Sequence, residues 1–228
     1  MVPNHVLDNP VWHALRSGNK HLAHGPNTIP YFTPDVSPFA ALSELTQANL
    51  TRLYQTIPFD SPIALFSPEK LAIAAPWTLR QRIDGWQLVY TKPAEPAPIG
   101  PEIMSLTSQH VPQMLALTAL TAPGPFANRT IAFGHYEGIF EGDELVAMAG
   151  QRLQAYEFAE ISAVCTHPDH VSKGYARHLL RRQICRIQAA SGTPFLHVKA
   201  ENQRAIHLYE AMGFEIRTDM YIYVLQKN

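Results

Sequence analysis

An α/β fold is predicted by three observations in the second half of the chain. An apolar strand pattern, EFAEISAVCT, runs straight into a turn containing one glycine. An amphipathic helical pattern starts immediately after that turn, and a second strand, helix and strand close the chain.

Composition agrees with a globular chain of this class. With 46% apolar residues, the 228 positions can bury one substantial core or two small packed lobes. Eighteen Lys+Arg stand against 19 Asp+Glu, a formal charge of -1, so no basic field covers the molecule and nucleic acid is not expected as a partner. The two cysteines, Cys165 and Cys185, fall in an apolar run and a helical pattern, which suits buried thiols in a reducing cytoplasm rather than a disulfide framework. No run approaches the ~18 consecutive apolar residues of a membrane span, and the first residues lack a leader pattern. A cytoplasmic protein, monomeric or homodimeric and without a membrane partner, is expected.

The stretch TKPAEPAPIGP, Thr91 to Pro101, carries four prolines and reads as a linker, because proline removes donors and fixes φ. It divides an N-terminal lobe, 1–95, from a domain at 101–228. In the front half, SELTQANLTRLY predicts a helix capped by Ser37 or Ser43, and PIALF, KLAIA and GWQLVYT predict three strands. In the back half EIMSLT predicts a strand, and SQHVPQMLALTALT a helix begun at Ser108 with Pro112 in its first turn. EGDE between two apolar segments predicts a hairpin. EFAEISAVCT is apolar enough on both faces for a central strand. Ala176, Leu179, Leu180, Ile184 and Ile187 then recur at helical spacing from Tyr175 onward. A strand from Phe195 to Lys199 follows, then a short helix with Asn202 at its start and Gly213 as its left-handed end, and a final strand with Tyr221, Tyr223 and Leu225 in alternation.

The turn Val171-Ser172-Lys173-Gly174-Tyr175-Ala176 precedes a helix whose first amides lack intrahelical partners and carry partial positive charge. Gly174 admits close approach of an anion to the backbone, and Ala176 keeps the next turn slim.

EISAVCTHPDHVSKGYARHLL and VKAENQRAIHLYEAMGF together resemble the two signatures of the GNAT superfamily of N-acetyltransferases, and AVCTHPDH with PGPFANRT is similar to the branch of glycine N-acyltransferase-like domains. The resemblance covers the back half. It implies a mixed, mostly antiparallel central sheet flanked by helices; the front half matches neither signature and is an extra lobe that either completes the acceptor pocket or is an eroded copy of the same fold. It also implies acetyl-CoA as co-substrate, no metal, and a primary amine as acceptor: a small amine, an amino acid or a protein amino group. The family's loop usually begins with Arg or Gln where this chain has Val171, a departure that Lys173 and Arg177 could offset. Backbone of Val164, Cys165 and Thr166 would bond the pantetheine arm.

By the same resemblance Glu160 matches a general base and Tyr209 a general acid for the departing thiolate. Plain alternation puts Glu160, Val164 and Thr166 on one strand face, with Cys165 opposite, and burial would raise the Glu160 pKa. Glu160 is otherwise a charge at a strand end, Tyr209 a core residue of its helix, and Asn202 a cap with or without a coenzyme contact. Phe126, Arg129, Tyr136, Arg152 and Tyr156 are acceptor-site candidates by position, an arginine there suiting a carboxylate. His21-x-x-His24 and His167-x-x-His170 lack further ligands nearby and read as ordinary histidines. Two other outcomes stay open: a coenzyme A-binding regulatory module without catalysis, and an N-acyltransferase for longer chains.

Overall fold

The computed structural model describes residues 5–93, 96 and 100–227. Much of the proposed linker lies outside the described residues.

Among the described residues, eight strands form one sheet. In chain order they are β1 (Ile63–Ser67), β2 (Trp77–Tyr90), β3 (Met104–Ser105), β4 (Glu137–Glu141), β5 (Glu144–Ala155), β6 (Phe158–Thr166), β7 (Thr193–Lys199) and β8 (Phe214–Lys227). Their spatial order is β1-β8-β2-β7-β6-β5-β4-β3, and every neighbouring pair is antiparallel except β6 with β7. The mixed, mostly antiparallel sheet is therefore present.

The front half does not build a separate sheet. Its strand β2 lies between β7 and β8, pairing with β8 from Trp77↔Lys227 to Tyr90↔Phe214 and with β7 from Gly85↔Lys199 to Val89↔Phe195. The boundary near residue 95 thus separates stretches of sequence whose strands share one ladder. KLAIA is not a strand: the Leu71 amide donates to the Tyr223 hydroxyl at 2.6 Å, and Leu71 and Ile73 pack side-on against the cluster around Leu50, Leu53 and Trp77.

Five α-helices among the described residues cover the sheet: α1 (Pro10–Arg16), α2 (Gln47–Thr56), α3 (Val111–Thr121), α4 (Tyr175–Ala189) and α5 (Gln203–Met212). Helix α2 starts later than the sequence predicts, since the Thr46 side chain accepts from the Asn49 amide and so fixes its first turn. Ser108–His110 is a 3-10 turn leading into α3, with Pro112 at the start of the α-helix proper. On one face of the sheet α1 and α3 share a core with Phe66, Phe195, Ala163 and Cys165. On the other, α4 and α5 bury Leu180, Ile184, Ile206 and Tyr209 against Leu88, Ile161 and Leu196. No described helix is long and apolar enough to cross a membrane.

Candidate active site

Helix α4 begins where its sequence pattern begins, with Gly174 as N-cap at φ 81°. Ser172, at φ 66°, is also left-handed. Left-handed residues alternating in a turn favour a nest of successive amides, an arrangement suited to anions. No described residue accepts a hydrogen bond from the backbone amides of residues 172–176. A Cβ at Gly174 would meet nothing within 4 Å, so the space in front of the turn is open. Residues 171–174 and Arg177 are exposed. Lys173 Nζ lies 3.1 Å from Glu141 Oε1, and the Tyr175 hydroxyl donates to the same carboxylate. Glu141 thus holds the loop's ammonium group to one side.

The strand leading into this turn is broken by a bulge. Met148 pairs with Cys165 and Gly150 with Ser162, so Ala163 and Val164 together oppose Ala149 alone. Ala163 sits at φ 53°, a conformation that costs a residue with a Cβ about 1–2 kcal/mol. The bulge coincides with a fork in the sheet. Strands β6 and β7 pair only from Phe158↔Thr193 to Glu160↔Phe195, after which β7 continues against β2 and β6 against β5. From Ile161 to Thr166 the inner edge of β6 has no strand partner among the described residues, and this edge runs into the amide-lined turn. It supplies the donors and acceptors that an extended amide-bearing arm would need.

The structure corrects the reading of Glu160. The extra bulge residue shifts the alternation, so Val164 packs toward α4, while Glu160 lies on the opposite face with Ala163 and Cys165. Its side chain is 0% exposed and accepts two bonds from Arg152, at 2.8 and 2.6 Å, and one from His197 Nδ1 at 2.7 Å. Burial alone would push its pKa up, but the Arg152 charge and hydrogen bonds, with His197, hold it down at about 2. This is a locked carboxylate rather than one poised to take a proton. The network continues outward: Gln87 Nε2 contacts His197 Nε2 at 2.9 Å and donates to the Leu7 carbonyl, Arg217 donates to Gln87 Oε1, and Arg217 pairs with Asp8. It ties the last paired residues before the fork to the N-terminal segment. Gln87 and His197, polar positions inside apolar strand patterns, were the overlooked signal.

Tyr209 projects from α5 into the cluster that contains Ile161, Val164 and Val198, at the α4 side of the fork. Burial pushes its hydroxyl up to about 12, so it keeps its proton at neutral pH. Asn202 caps α5 through a 3.2 Å bond from the Ala205 amide. Cys165 is buried and its thiol is pushed up to about 11, chiefly by burial, which makes it a packing group.

Of the five acceptor-site candidates, Phe126, Tyr136 and Arg152 are neighbours, while Arg129 and Tyr156 lie elsewhere. Phe126 and Tyr136 pack edge to face, 5.6 Å apart. Arg152 is buried and donates two bonds to Glu160, while Arg129 pairs with Asp35 at 3.1 Å on the surface, its side chain 58% exposed. Tyr156 is exposed at the turn between β5 and β6, beside His13, and lines a cavity of about 710 Å³ with Gln151, Arg182 and Arg186 near the C-terminal end of α4. Phe158 and Ala159, which pair with β7 just before the fork, also line it. No group of three or more His, Cys, Asp or Glu among the described residues is arranged to hold a metal.

A forked sheet with a bulged strand feeding a helix N-terminus of unpaired amides fits the acyl-coenzyme A N-acyltransferase class of fold. The chain belongs to the GNAT family. A GNAT-family protein from Novosphingobium aromaticivorans DSM 12444 is 33% identical, with 99% of this chain and 100% of that one covered at a TM-score of 0.90. The family model for FR47-like protein matches residues 136–223. N-alpha-acetyltransferase RimI of Mycobacterium tuberculosis (strain ATCC 25618 / H37Rv) is 32% identical over 94 residues, 39% of this chain, and the match spans 58% of that relative's length. A GCN5-related N-acetyltransferase from Kribbella flavida shares the fold at 14% identity, with 96% of this chain and 95% of that one covered at a TM-score of 0.66.

Proposed function

We propose that this chain transfers an acetyl group from acetyl-CoA to a primary amine by direct attack. One observation carries the reading: the unpaired edge of β6 opens beside the unpaired amides of residues 172–176, a continuous set of donors for a thioester arm and its diphosphate. When bound, the coenzyme supplies an activated acyl group. The turn and Arg177 hold its phosphates, and the edge from Val164 to Thr166 aligns its arm, one amide polarising the carbonyl. The amine nitrogen bonds to the acyl carbon as the carbon–sulfur bond breaks. Tyr209 gives its proton to the departing sulfur.

Glu160 does not take the amine's proton in this account. It positions the fork with Arg152 and His197, and the acceptor loses its proton to solvent, so the rate follows the acceptor amine's own ionisation, near pKa ~10 for an alkylamine. The front half walls the acceptor side of the sheet. Protein N-termini join small amines as acceptors to test, since the M. tuberculosis relative is an N-alpha-acetyltransferase. Cys165 and Cys185, neither of them in a disulfide, suit a cytoplasmic setting.

The locked state of Glu160 favours one second reading, a coenzyme-binding module without catalysis, since it removes the family's usual base. Thiol release from acetyl-CoA and from longer acyl-CoAs, measured against a panel of peptides and small amines, decides between them. Turnover with any amine supports the enzyme; tight binding with no thiol release from any donor supports the module.

A further inference from the structure

Tyr136 carries a buried hydroxyl with no hydrogen-bond partner. The residue is 2% exposed, and its oxygen is sealed from solvent. A buried, unsatisfied hydroxyl costs about 1–3 kcal/mol, so its persistence calls for an explanation.

Its seat is closely built. Tyr136 lies one position before the pair Glu137↔Ala149, and its ring leans over Gly150 of β5. A Cβ on Gly150 would stand 2.3 Å from the ring, so this position of the tyrosine requires glycine beneath it. Phe126 packs edge to face on the ring. Gly150 pairs with Ser162, the residue just before the bulge, so the ring is directed across β5 toward the bulged segment of β6. The hydroxyl shares the core face of Ala163 and Cys165 and lies within electrostatic reach of Arg152, Glu160 and Cys165. The charges there cancel, because Arg152 and Glu160 are paired with each other. What remains is one neutral donor on the core face of the bulged segment, the strand that, on the reading above, carries the thioester.

We propose that the Tyr136 hydroxyl is a catalytic hydrogen-bond donor to the thioester carbonyl oxygen as it becomes an oxyanion, acting beside a β6 backbone amide. The inference rests on the transferase reading of the fork. No proton changes hands in this step: charge gathers on oxygen while the carbon–nitrogen bond forms and returns as the carbon–sulfur bond breaks. Burial, the largest influence on this hydroxyl, pushes its pKa up, so it remains a donor across the working pH range. A donor in a dry setting that meets charge only in the transition state acts on kcat rather than on binding.

The test is Tyr136→Phe, which preserves the ring and removes only the oxygen. Thiol release from acetyl-CoA is followed with two unrelated acceptors, a short peptide with a free N-terminus and benzylamine, while acetyl-CoA affinity is read by calorimetry and folding by thermal melting. The expected result is a fall in kcat of about 10²-fold, equal for both acceptors, with acceptor KM and acetyl-CoA affinity within about twofold of the parent. Equal losses follow because the donor acts on the thioester, which both reactions share. A kcat within about threefold of the parent overturns the proposal. So does a raised acceptor KM at unchanged kcat, or a loss of coenzyme affinity or melting temperature large enough to account for the rate. If the unaltered protein binds acetyl-CoA but releases no thiol with any amine, the transferase reading itself fails and takes this role with it.

Discussion

Replacing Glu160 by glutamine separates a structural carboxylate from a catalytic one. Glu160 and Arg152 are held together by two bonds of 2.8 and 2.6 Å in a setting where the carboxylate is fully buried and the guanidinium nearly so. Glutamine keeps the shape but leaves the arginine charge uncompensated, and breaking a buried pair from one side costs about 3–5 kcal/mol. In a chain of this size each kcal/mol shifts the melting temperature by about 2–4 °C, so Glu160→Gln should melt about 6–20 °C lower. The acid limb provides an internal check. The folded pKa of about 2 lies below the ordinary carboxylate value, so the contribution of Glu160 is complete above the unfolded value near 4.5 and is lost as pH falls from there toward 2. The variant should lack that part of the acid transition. Replacing both partners, Glu160→Leu with Arg152→Met, should recover most of the lost stability, because an apolar pair leaves no stranded charge. Thermal and urea unfolding read all three proteins, and pH–rate profiles are taken below the melting range. The reasoning is refuted if Glu160→Gln melts within about 2 °C of the parent while kcat falls a hundredfold and the pH profile changes shape, which is how a general base would behave.

Three further outcomes follow from the same geometry. Tyr209→Phe should lower kcat at least tenfold with acetyl-CoA affinity unchanged, because the ring still fills its place in the α4-side core and only the proton donor is gone; equal rates would remove Tyr209 from the chemistry. Gly174→Val should weaken acetyl-CoA binding, measured by calorimetry, by about tenfold or more: there is room for the side chain, but a left-handed φ of 81° penalises a β-branched residue and reshapes the turn. Glu141→Gln should tighten acetyl-CoA by about twofold to fivefold at low salt and less at high salt, since it frees Lys173 for the phosphates; a weaker complex would show that Glu141 supports the turn rather than competing for it.

Local features of this fold were legible in the sequence, and long-range ones were not. The hairpin over EGDE, the start of α4 at Gly174, and α5 between Asn202 and Gly213 all follow from turn and cap chemistry within a few residues. The insertion of β2 between β7 and β8 depends on pairing across more than a hundred positions, which no local periodicity encodes. The candidate site divides in the same way. The donor-rich turn is a local motif, and its residues could be named directly. The state of Glu160 could not, because Arg152 reaches it from the neighbouring strand and His197 from 37 residues further along. The bulge at Ala163 compounds this: one extra residue cancels the strict alternation from which the faces of the strand are read.

The central claim is that amides of the turn and of the strand edge receive the coenzyme together. Residue-resolved hydrogen exchange with and without acetyl-CoA tests it most directly. Slowed exchange confined to residues 172–176 and to the segment 161–166 is the predicted result; unchanged exchange in both segments at saturating coenzyme, or protection elsewhere alone, would contradict it.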